Sequence, residues 1–218
     1  MSATTEIQLS ELERDALTEI VNIGVSRAAA SLRKMVGAQV LLSVPSLDII
    51  TQRAAAVVIG EREVDELVAV RQSFSGAFSG RAMLIFPQGK SLELVRAVTG
   101  GTMSAEELVE IESEALAETG NVILNGCLAS MANMLQRSLD MSIPEVMRGS
   151  GAELFIPAET AASADDAVVL FLYIDFTVRE HDIRGYIAML MDLPSLSALQ
   201  MLIAEFIARV MADDGGVS

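Results

Sequence analysis

Two eight-residue segments of the sequence place acidic and amide side chains at the same spacing. The first is DALTEIVN at residues 15–22, and the second is EALAETGN at residues 114–121. Each has an acidic residue first, a glutamate four positions later and an asparagine three positions after that. Because a helix turns by about 100° per residue, these positions lie on one stripe of a helix surface. Carboxylates on such a stripe suit a basic partner, and an amide can both donate and accept hydrogen bonds.

A solvated helix face is the plain alternative for each segment, since it accounts for most isolated matches to so short a pattern. Asparagine is nevertheless a mediocre helix former, and lysine, glutamine or glutamate would solvate the same face at a lower cost in helicity. Each asparagine is also followed by 22 residues and then a proline, Pro45 after Asn22 and Pro144 after Asn121. Duplication alone can preserve that spacing, so the pattern by itself leaves both interpretations open.

An internal repeat places the two segments in equivalent halves of the chain. A shift of 99 residues superimposes Glu19 on Glu118 and Asn22 on Asn121 without a gap. Farther along, GRAMLIF and GYIAMLM correspond at a shift of 105 residues. Each half alone is near the small end for a stable core, so we expect the two halves to share one. The prediction is a single domain over 1–218, with repeat one at about 8–100, repeat two at about 104–212 and a disordered tail at 213–218.

Capping signals and hydrophobic patterns predict the elements that position the stripes. Ser10 with Glu13, and Ser104 with Glu107, form capping boxes that start two long helices. These helices should end near Val36 and Leu139. Apolar runs predict strands at 38–45, 54–60, 67–76, 80–87, 152–157, 167–176 and 183–192. Further helices are predicted at 91–100 and 194–212. The predicted fold class is α/β (α+β), a pseudo-two-fold duplication with two long motif helices packed on a mostly antiparallel sheet.

Composition argues against several function classes. A net charge of −15 repels phosphate backbones and anionic membranes, so neither nucleic acid nor membrane insertion is expected. The start of the chain has no basic and apolar regions of a signal peptide. The long apolar segment at 193–212 is interrupted by Gln200, Glu205 and Arg209. These features predict a cytoplasmic location.

Other candidate chemistry is weaker than the repeated stripe. Cys127, the single cysteine, falls on the apolar side of its helix, so a buried thiol is expected rather than a nucleophile. His181, the single histidine, lies in REHDIRG, which favours an exposed turn between strands. A metal site built from the four acidic residues of the two stripes is conceivable. Ferritin-like sites need Glu-x-x-His pairs, however, and the sequence has none, so no metal site is predicted.

The pattern D-x3-E-x2-N-x22-P resembles the signature of the CheC, CheX and FliY family of bacterial phosphatases, which act on the phosphorylated response regulator CheY. The first copy matches at Asp15, Glu19, Asn22 and Pro45. The second copy matches at Glu118, Asn121 and Pro144. Glu114 stands where aspartate or serine is usual. Two motifs on one chain resemble the CheC branch most closely, and the resemblance covers nearly the whole chain.

The resemblance implies a reaction and a role for each residue. The substrate would be a phosphoaspartate beside Mg²⁺ in the response regulator, so the protein would need no cofactor of its own. Asn22 and Asn121 would position the attacking water, while Glu19 and Glu118 would pair with the active-site lysine of the partner. The residues implied to support docking are Asp15, Glu114, Pro45 and Pro144.

Two other functions stay open. A non-catalytic adaptor could use the same stripes to bind a response regulator or a CheD-like deamidase, which can bind and stimulate CheC-like proteins. A structural flagellar component is a third possibility, weakened because the sequence shows no further C-terminal flagellar-switch module.

Overall fold

The computed structural model describes residues 9–37, 39–63, 65–156, 167–178 and 181–214. Repeat one comprises α1 (Glu11–Val36), β1 (Val40–Thr51), α2 (Gln52–Arg62), β2 (Leu67–Gly76), β3 (Gly80–Pro87) and α3 (Gln88–Val98). Repeat two comprises α4 (Ala105–Met134), β4 (Leu139–Met141), β5 (Glu145–Gly149), α5 (Gly151–Phe155), β6 (Ala167–Val178), β7 (His181–Asp192) and α6 (Leu193–Asp214). The two repeats have the same order of helices and strands if β4 and β5 together are taken as the equivalent of β1.

The seven strands form one sheet, and its described pairs are all antiparallel. Their order is β1-β6-β7-β3-β2-β4, with β5 also paired to β2. Equivalent strands of the two repeats occupy equivalent positions when the order is followed from opposite ends of the sheet. At one end β1 of repeat one lies beside β6, and at the other end β4 and β5 of repeat two lie beside β2. Each half therefore gives its outer strand to the other half. The predicted duplication and the mostly antiparallel sheet are confirmed.

Helices cover both faces of the sheet. The helices α1, α3, α4 and α6 pack over the larger core, and α2 and α5 pack over a smaller one. Successive side chains of a strand point to opposite faces. In β2, Val68 and Val70 thus belong to the larger core, whereas Leu67 and Ala69 belong to the smaller. Both motif helices lie in the same layer, above the larger core.

The motif helices begin where the capping signals predict. Ser10 Oγ accepts a hydrogen bond from the Glu13 amide at 3.3 Å, and the Glu13 carboxylate accepts from the Ser10 amide at 2.8 Å. Ser104 and Glu107 repeat the pair at 3.3 and 2.8 Å. The hydrogen bonds from Ser104 hold the pKa of Glu107 below its ordinary value. Each capping box satisfies amide groups that would otherwise have no partner at the helix start.

Two segments predicted as strands are helices instead. Residues 54–60 lie in α2, and residues 152–157 overlap α5. Thr51 caps α2, since its hydroxyl accepts from the Ala54 amide at 3.1 Å. The buried residues of α2 have helical spacing and are Gln52, Ala55, Ala56 and Ile59. A capping box of Ser150 and Glu153 starts α5. The apolar runs suggested strands, but the caps and the helical spacing decide the local structure.

Element boundaries differ in three further places. β1 continues past Pro45 to Thr51, α4 ends at Met134 rather than near Leu139, and α6 runs to Asp214. Residues 215–218 of the predicted tail lie outside the described residues.

The last helix, α6, is long and apolar enough to cross a membrane by length and composition alone, over Leu193–Ala212. In the structure it lies against the protein body, and 28% of that window is buried. Glu205 accepts a hydrogen bond from Arg137 at 3.0 Å, and Arg209 donates to the Met134 carbonyl at 2.9 Å. These contacts tie α6 to the end of α4, as expected for a helix of a folded domain, so its apolar composition is weak evidence for a membrane span.

Candidate functional site

The two predicted stripes lie on α1 and α4, in the helix layer above the larger core. We define the first surface by Asp15, Glu19, Asn22 and Pro45. We define the second surface by Glu114, Glu118, Asn121 and Pro144. All four acidic side chains are exposed, whereas Asn22 and Asn121 are half-buried. The acids therefore extend into solvent, and each asparagine lies closer to the sheet.

The acidic residues of both surfaces have no basic partner within the described part of the chain. The ion pairs found there use other carboxylates, such as Asp48, Glu112 and Glu145. Among the described residues, no group of three or more His, Cys, Asp or Glu side chains is placed to hold a metal ion, so the four acids are not gathered into a metal site. The structure instead presents two pairs of exposed, unpaired carboxylates.

Asn121 of the second surface is held by two other amide side chains. Its Oδ1 accepts from Gln72 Nε2 at 3.1 Å and from Asn125 Nδ2 at 2.7 Å. Gln72 belongs to β2, and Asn125 is one helical turn along α4. The contact links the motif helix to the sheet at the position of the predicted catalytic residue.

The segment before Pro144 takes part in the same hydrogen-bond group. The Ser142 carbonyl accepts from Gln72 Nε2 at 2.9 Å. The Ser142 hydroxyl accepts from the Ser73 amide at 3.0 Å, and the Ser142 amide donates to the Ser73 carbonyl at 2.9 Å. Because the Ser142 hydroxyl accepts the hydrogen bond from the Ser73 amide, the Ser142 carbonyl is available to accept one from the Gln72 side chain. Pro144 lies between β4 and β5, where the ladder to β2 is interrupted.

Asn22 of the first surface has different surroundings. It lines a shallow depression of about 340 Å³ with Glu19, Ser26 and Arg27. Its side chain makes no hydrogen bond with another described residue, in contrast to that of Asn121. The register of β1 against β6 shifts between Ser43 and Ser46, so an irregularity at Pro45 matches the interruption at Pro144. The two surfaces have a similar backbone arrangement, but the hydrogen bonds of their asparagine side chains differ.

Glycines allow the second motif helix to approach its neighbours closely. A Cβ atom on Gly120 would lie 2.5 Å from the Cβ of Val70 in β2. A Cβ atom on Gly126 would lie 2.8 Å from the Cβ of Ala28 in α1. Because Gly120 directly precedes Asn121, the close packing there brings the asparagine within reach of β2.

The single cysteine and the single histidine lie outside the two surfaces. Cys127 is fully buried, and burial raises the pKa of its thiol to about 12, so the predicted structural role agrees with its position. His181 is the first residue of β7, paired with Val178 of β6. Its backbone thus belongs to a strand and not to the predicted turn, and its side chain is not among those described.

Sequence reasoning missed Gln72. The sequence does contain a signal for it, which is a single amide among apolar side chains. The residues of β2 that face the larger core are Val68, Val70, Gln72 and Phe74. A polar residue at an inward position of a strand requires hydrogen-bond partners. The partners come from parts of the chain remote in sequence, so the pattern could not identify them.

The sequence of this chain is similar to those of known chemotaxis and flagellar phosphatases. The sequence model of the chemotaxis phosphatase CheX family matches residues 68–169, a range that contains Gln72 and the second surface. The flagellar motor switch phosphatase FliY of Bacillus subtilis (strain 168) is 28% identical over 140 residues, which cover 63% of this chain and 36% of FliY. The CheY-P phosphatase CheC of the same strain is 22% identical over 196 residues, covering 88% of this chain and 93% of CheC. The match to FliY thus spans about a third of that relative's length.

Comparisons with solved structures agree with the fold. Thermotoga maritima FliY superimposes with a TM-score of 0.71 at 17% identity, covering 92% of this chain and 100% of the FliY structure. The FliM middle domain from H. pylori superimposes with a TM-score of 0.59 at 8% identity, covering 89% of this chain and 99% of that structure. At such identities the likeness concerns the fold alone.

Proposed function

We propose that this chain is a member of the CheC, CheX and FliY family, which its sequence resembles, and that it hydrolyses the phosphoaspartate of a CheY-type response regulator. The repeated surface is the observation that carries the proposal: each motif helix presents exposed carboxylates beside a half-buried asparagine. Two similar proteins support it, since FliY is a flagellar motor switch phosphatase and CheC is a CheY-P phosphatase. The reaction would end the signal that the phosphorylated regulator carries.

The reaction needs little from this protein beyond positioning. The oxygen of a water molecule forms a bond to phosphorus while the bond between phosphorus and the aspartate oxygen breaks. The products are the aspartate carboxylate and inorganic phosphate, which carries the water's oxygen and both of its protons. Such phosphoryl transfer is accelerated mainly by placing the nucleophile in line and by stabilising charge on the phosphoryl oxygens.

The side chains of each surface have complementary roles in this proposal. Glu19 and Glu118 pair with a lysine of the regulator and orient the docked complex. Asn22 and Asn121 position the water, since an amide can hold a water molecule and contact a phosphoryl oxygen at the same time. Mg²⁺ belongs to the regulator, where it neutralises charge on the phosphoryl group. The residues that support docking are Asp15, Glu114, Pro45 and Pro144.

The test uses this protein in substoichiometric amount. A CheY-type regulator is phosphorylated with a small-molecule phosphodonor, the donor is removed, and the remaining acyl phosphate is followed with time. We expect one molecule of this protein to clear many molecules of phosphorylated regulator, because a catalyst turns over. Replacing Glu19 and Glu118 together by glutamine should raise KM, since the carboxylates act in docking.

A non-catalytic adaptor is the alternative that this experiment separates. An adaptor would bind the phosphorylated regulator, or a CheD-like deamidase, while the lifetime of the acyl phosphate stayed unchanged. Unchanged lifetime together with tight binding in a titration would therefore contradict the phosphatase proposal. The cytoplasmic location remains a prediction from composition.

A further inference from the structure

Gln72 occupies a position that packing alone would give to an apolar residue. Its side chain is 1% exposed, and its neighbours on the same face of β2 are Val70 and Phe74. Its Oε1 is buried with no hydrogen-bond partner among the described residues. A buried acceptor without a partner destabilises a protein. Stability of the core therefore does not explain why an amide stands here.

The Ser142 carbonyl fixes the direction of the whole group of amides. A carbonyl oxygen can only accept, so the Gln72 atom at 2.9 Å from it must be the donor Nε2. That Nε2 carries a second hydrogen, and its nearer remaining partner is Asn121 at 3.1 Å, with Asn125 Oδ1 farther away at 3.5 Å. The Asn121 atom that accepts this hydrogen must be Oδ1. Asn125 approaches the same Oδ1 at 2.7 Å and must donate through Nδ2. One backbone carbonyl thus determines which end of Asn121 faces the sheet.

The consequence for Asn121 is that its two amide ends differ in availability. An amide oxygen has two lone pairs, and Gln72 and Asn125 occupy both. No described residue accepts from Asn121 Nδ2, and this atom is not among the buried unpaired polar atoms of the described chain. The amide nitrogen therefore faces solvent and is the end that a docked partner would meet.

The first surface lacks this arrangement. The residues of β6 that belong to the larger core are Leu170, Leu172 and Ile174, so this strand offers Asn22 no inward-facing amide. The shift of 99 residues places Ser26 where the second copy has Asn125. The amide of Asn22 is therefore not set in one direction by neighbouring side chains of the described structure.

We propose that Gln72 is a positioning residue for Asn121 and for the second surface alone. It holds the asparagine carbonyl inward, so that the two N–H groups of Nδ2 point at the phosphoryl group of a docked regulator. One N–H donates to the oxygen of the attacking water and the other to a phosphoryl oxygen. The water oxygen keeps its second lone pair for attack on phosphorus. This inference rests on the proposed phosphatase function and assigns an internal support to the second surface only.

The test isolates each surface in turn with Gln72→Met, which keeps the length of the side chain and removes its hydrogen bonds. In an Asn22→Ala background only the second surface acts, and in an Asn121→Ala background only the first. We expect Gln72→Met to lower kcat about tenfold in the Asn22→Ala background, with little change in KM, because misorientation of a catalytic group slows the chemical step. In the Asn121→Ala background its effect should be absent.

Gln52→Met is the matched control. Gln52 is also buried, and its Nε2 donates to the Phe155 carbonyl on the opposite side of the sheet. The control loses a buried glutamine hydrogen bond without touching either surface, and it should leave kcat unchanged in both backgrounds. Equal losses in the two backgrounds, or no loss in either, would overturn the assignment of Gln72.

A second measurement on the free protein keeps this inference separate from the proposed function. In ¹⁵N-labelled protein, Gln72→Met should shift and broaden the side-chain NH₂ signals of Asn121 but not those of Asn22, and Gln52→Met should move neither. Unmoved Asn121 signals would overturn the inference even if the protein is a phosphatase. If the unmutated protein does not shorten the lifetime of the acyl phosphate, the proposed function fails, and so does the claim that the positioning of Asn121 by Gln72 supports catalysis, whatever the NMR result.

Discussion

At the scale of single residues, Asn22 and Asn121 have the same local sequence but different neighbours. The stripe that contains each of them could be predicted, because helical spacing alone places an acid, a glutamate and an asparagine on one face. The hydrogen bonds to Asn121 could not, because Gln72 and Ser142 approach it from other parts of the chain. Local sequence thus predicts which side chains share a surface, and tertiary contacts decide how each side chain is oriented.

Ile143 gives the second surface an apolar side chain that the first surface lacks. It is 81% exposed and lies directly before Pro144, whereas Val44, its counterpart in repeat one, is 7% exposed. We expect Ile143→Ser to raise KM for the phosphorylated regulator in an Asn22→Ala background, by about threefold to tenfold for the loss of an apolar contact at an interface. Thermal stability should be unchanged.

Val57→Ser is the control for Ile143, since Val57 is also exposed, at 53%, and lies on α2 at the other face of the sheet. It should leave KM at the unmutated value. An Ile143→Ser protein with unchanged KM would show that this side chain takes no part in docking.

At the scale of elements, the sequence predicts the motif helices well and the short helices poorly. Capping boxes mark the start of α1 and α4 because the serine and glutamate partners are only three residues apart. The same local chemistry starts α5 at Ser150, but its apolar residues drew the prediction towards a strand. In α2, alanine-rich sequence allowed either structure, and the spacing of its buried residues is the deciding feature.

The contact between α4 and β2 should depend on Gly120. A Cβ atom there would meet Val70 at 2.5 Å, so Gly120→Ala must push α4 away from the sheet. We expect a loss of about 1–3 kcal/mol in the free energy of unfolding, as for other overpacked cores. Adding Val70→Ala should recover part of that loss by removing the atoms that clash, and denaturant unfolding measures both effects.

Gly60→Ala is the control for this pair, because a Cβ atom at Gly60 in α2 meets nothing within 4 Å. It should be neutral or slightly stabilising, as alanine is a better helix former than glycine. If Gly120→Ala proved as harmless as Gly60→Ala, the close approach of α4 to β2 would be wrong.

The capping box of α4 should make part of the stability depend on pH. Hydrogen bonds from Ser104 lower the pKa of Glu107 in the folded protein below its ordinary value of 4.5. A group whose pKa falls on folding contributes stability above its unfolded pKa and loses that contribution as pH falls through the folded pKa. Glu107→Gln should therefore lower the Tm at pH 7 and have a smaller effect at about pH 2, where the carboxylate is protonated. An equal effect at both pH values would contradict the cap.

At the scale of the whole molecule, the exchange of outer strands makes the two halves depend on each other. β1 of repeat one pairs with β6 along most of its length, and β5 of repeat two pairs with β2. The repeat could be predicted from the 99-residue shift. The strand exchange could not be predicted, because the order of helices and strands along the chain would be the same whether each outer strand paired within its own half or with the other half. The surfaces therefore stand on one shared sheet.

Shared strands predict that the halves unfold together. Native-state hydrogen exchange in low denaturant should give the same opening free energy for the paired amides of β1 and β6, for example at Leu47 and Leu172. Separate opening free energies for residues of repeat one and repeat two would mean that each half is an independent folding unit.

The claim that the two asparagines perform the chemistry is tested most directly by the decay rate of a phosphorylated CheY-type regulator. The measurement compares the unmutated protein with a variant that carries both Asn22→Ala and Asn121→Ala. We expect the unmutated protein to shorten the lifetime of the acyl phosphate, and the double variant to return it to the lifetime of the regulator alone while still folding with an unchanged Tm. A double variant that removes phosphate as fast as the unmutated protein would contradict the account.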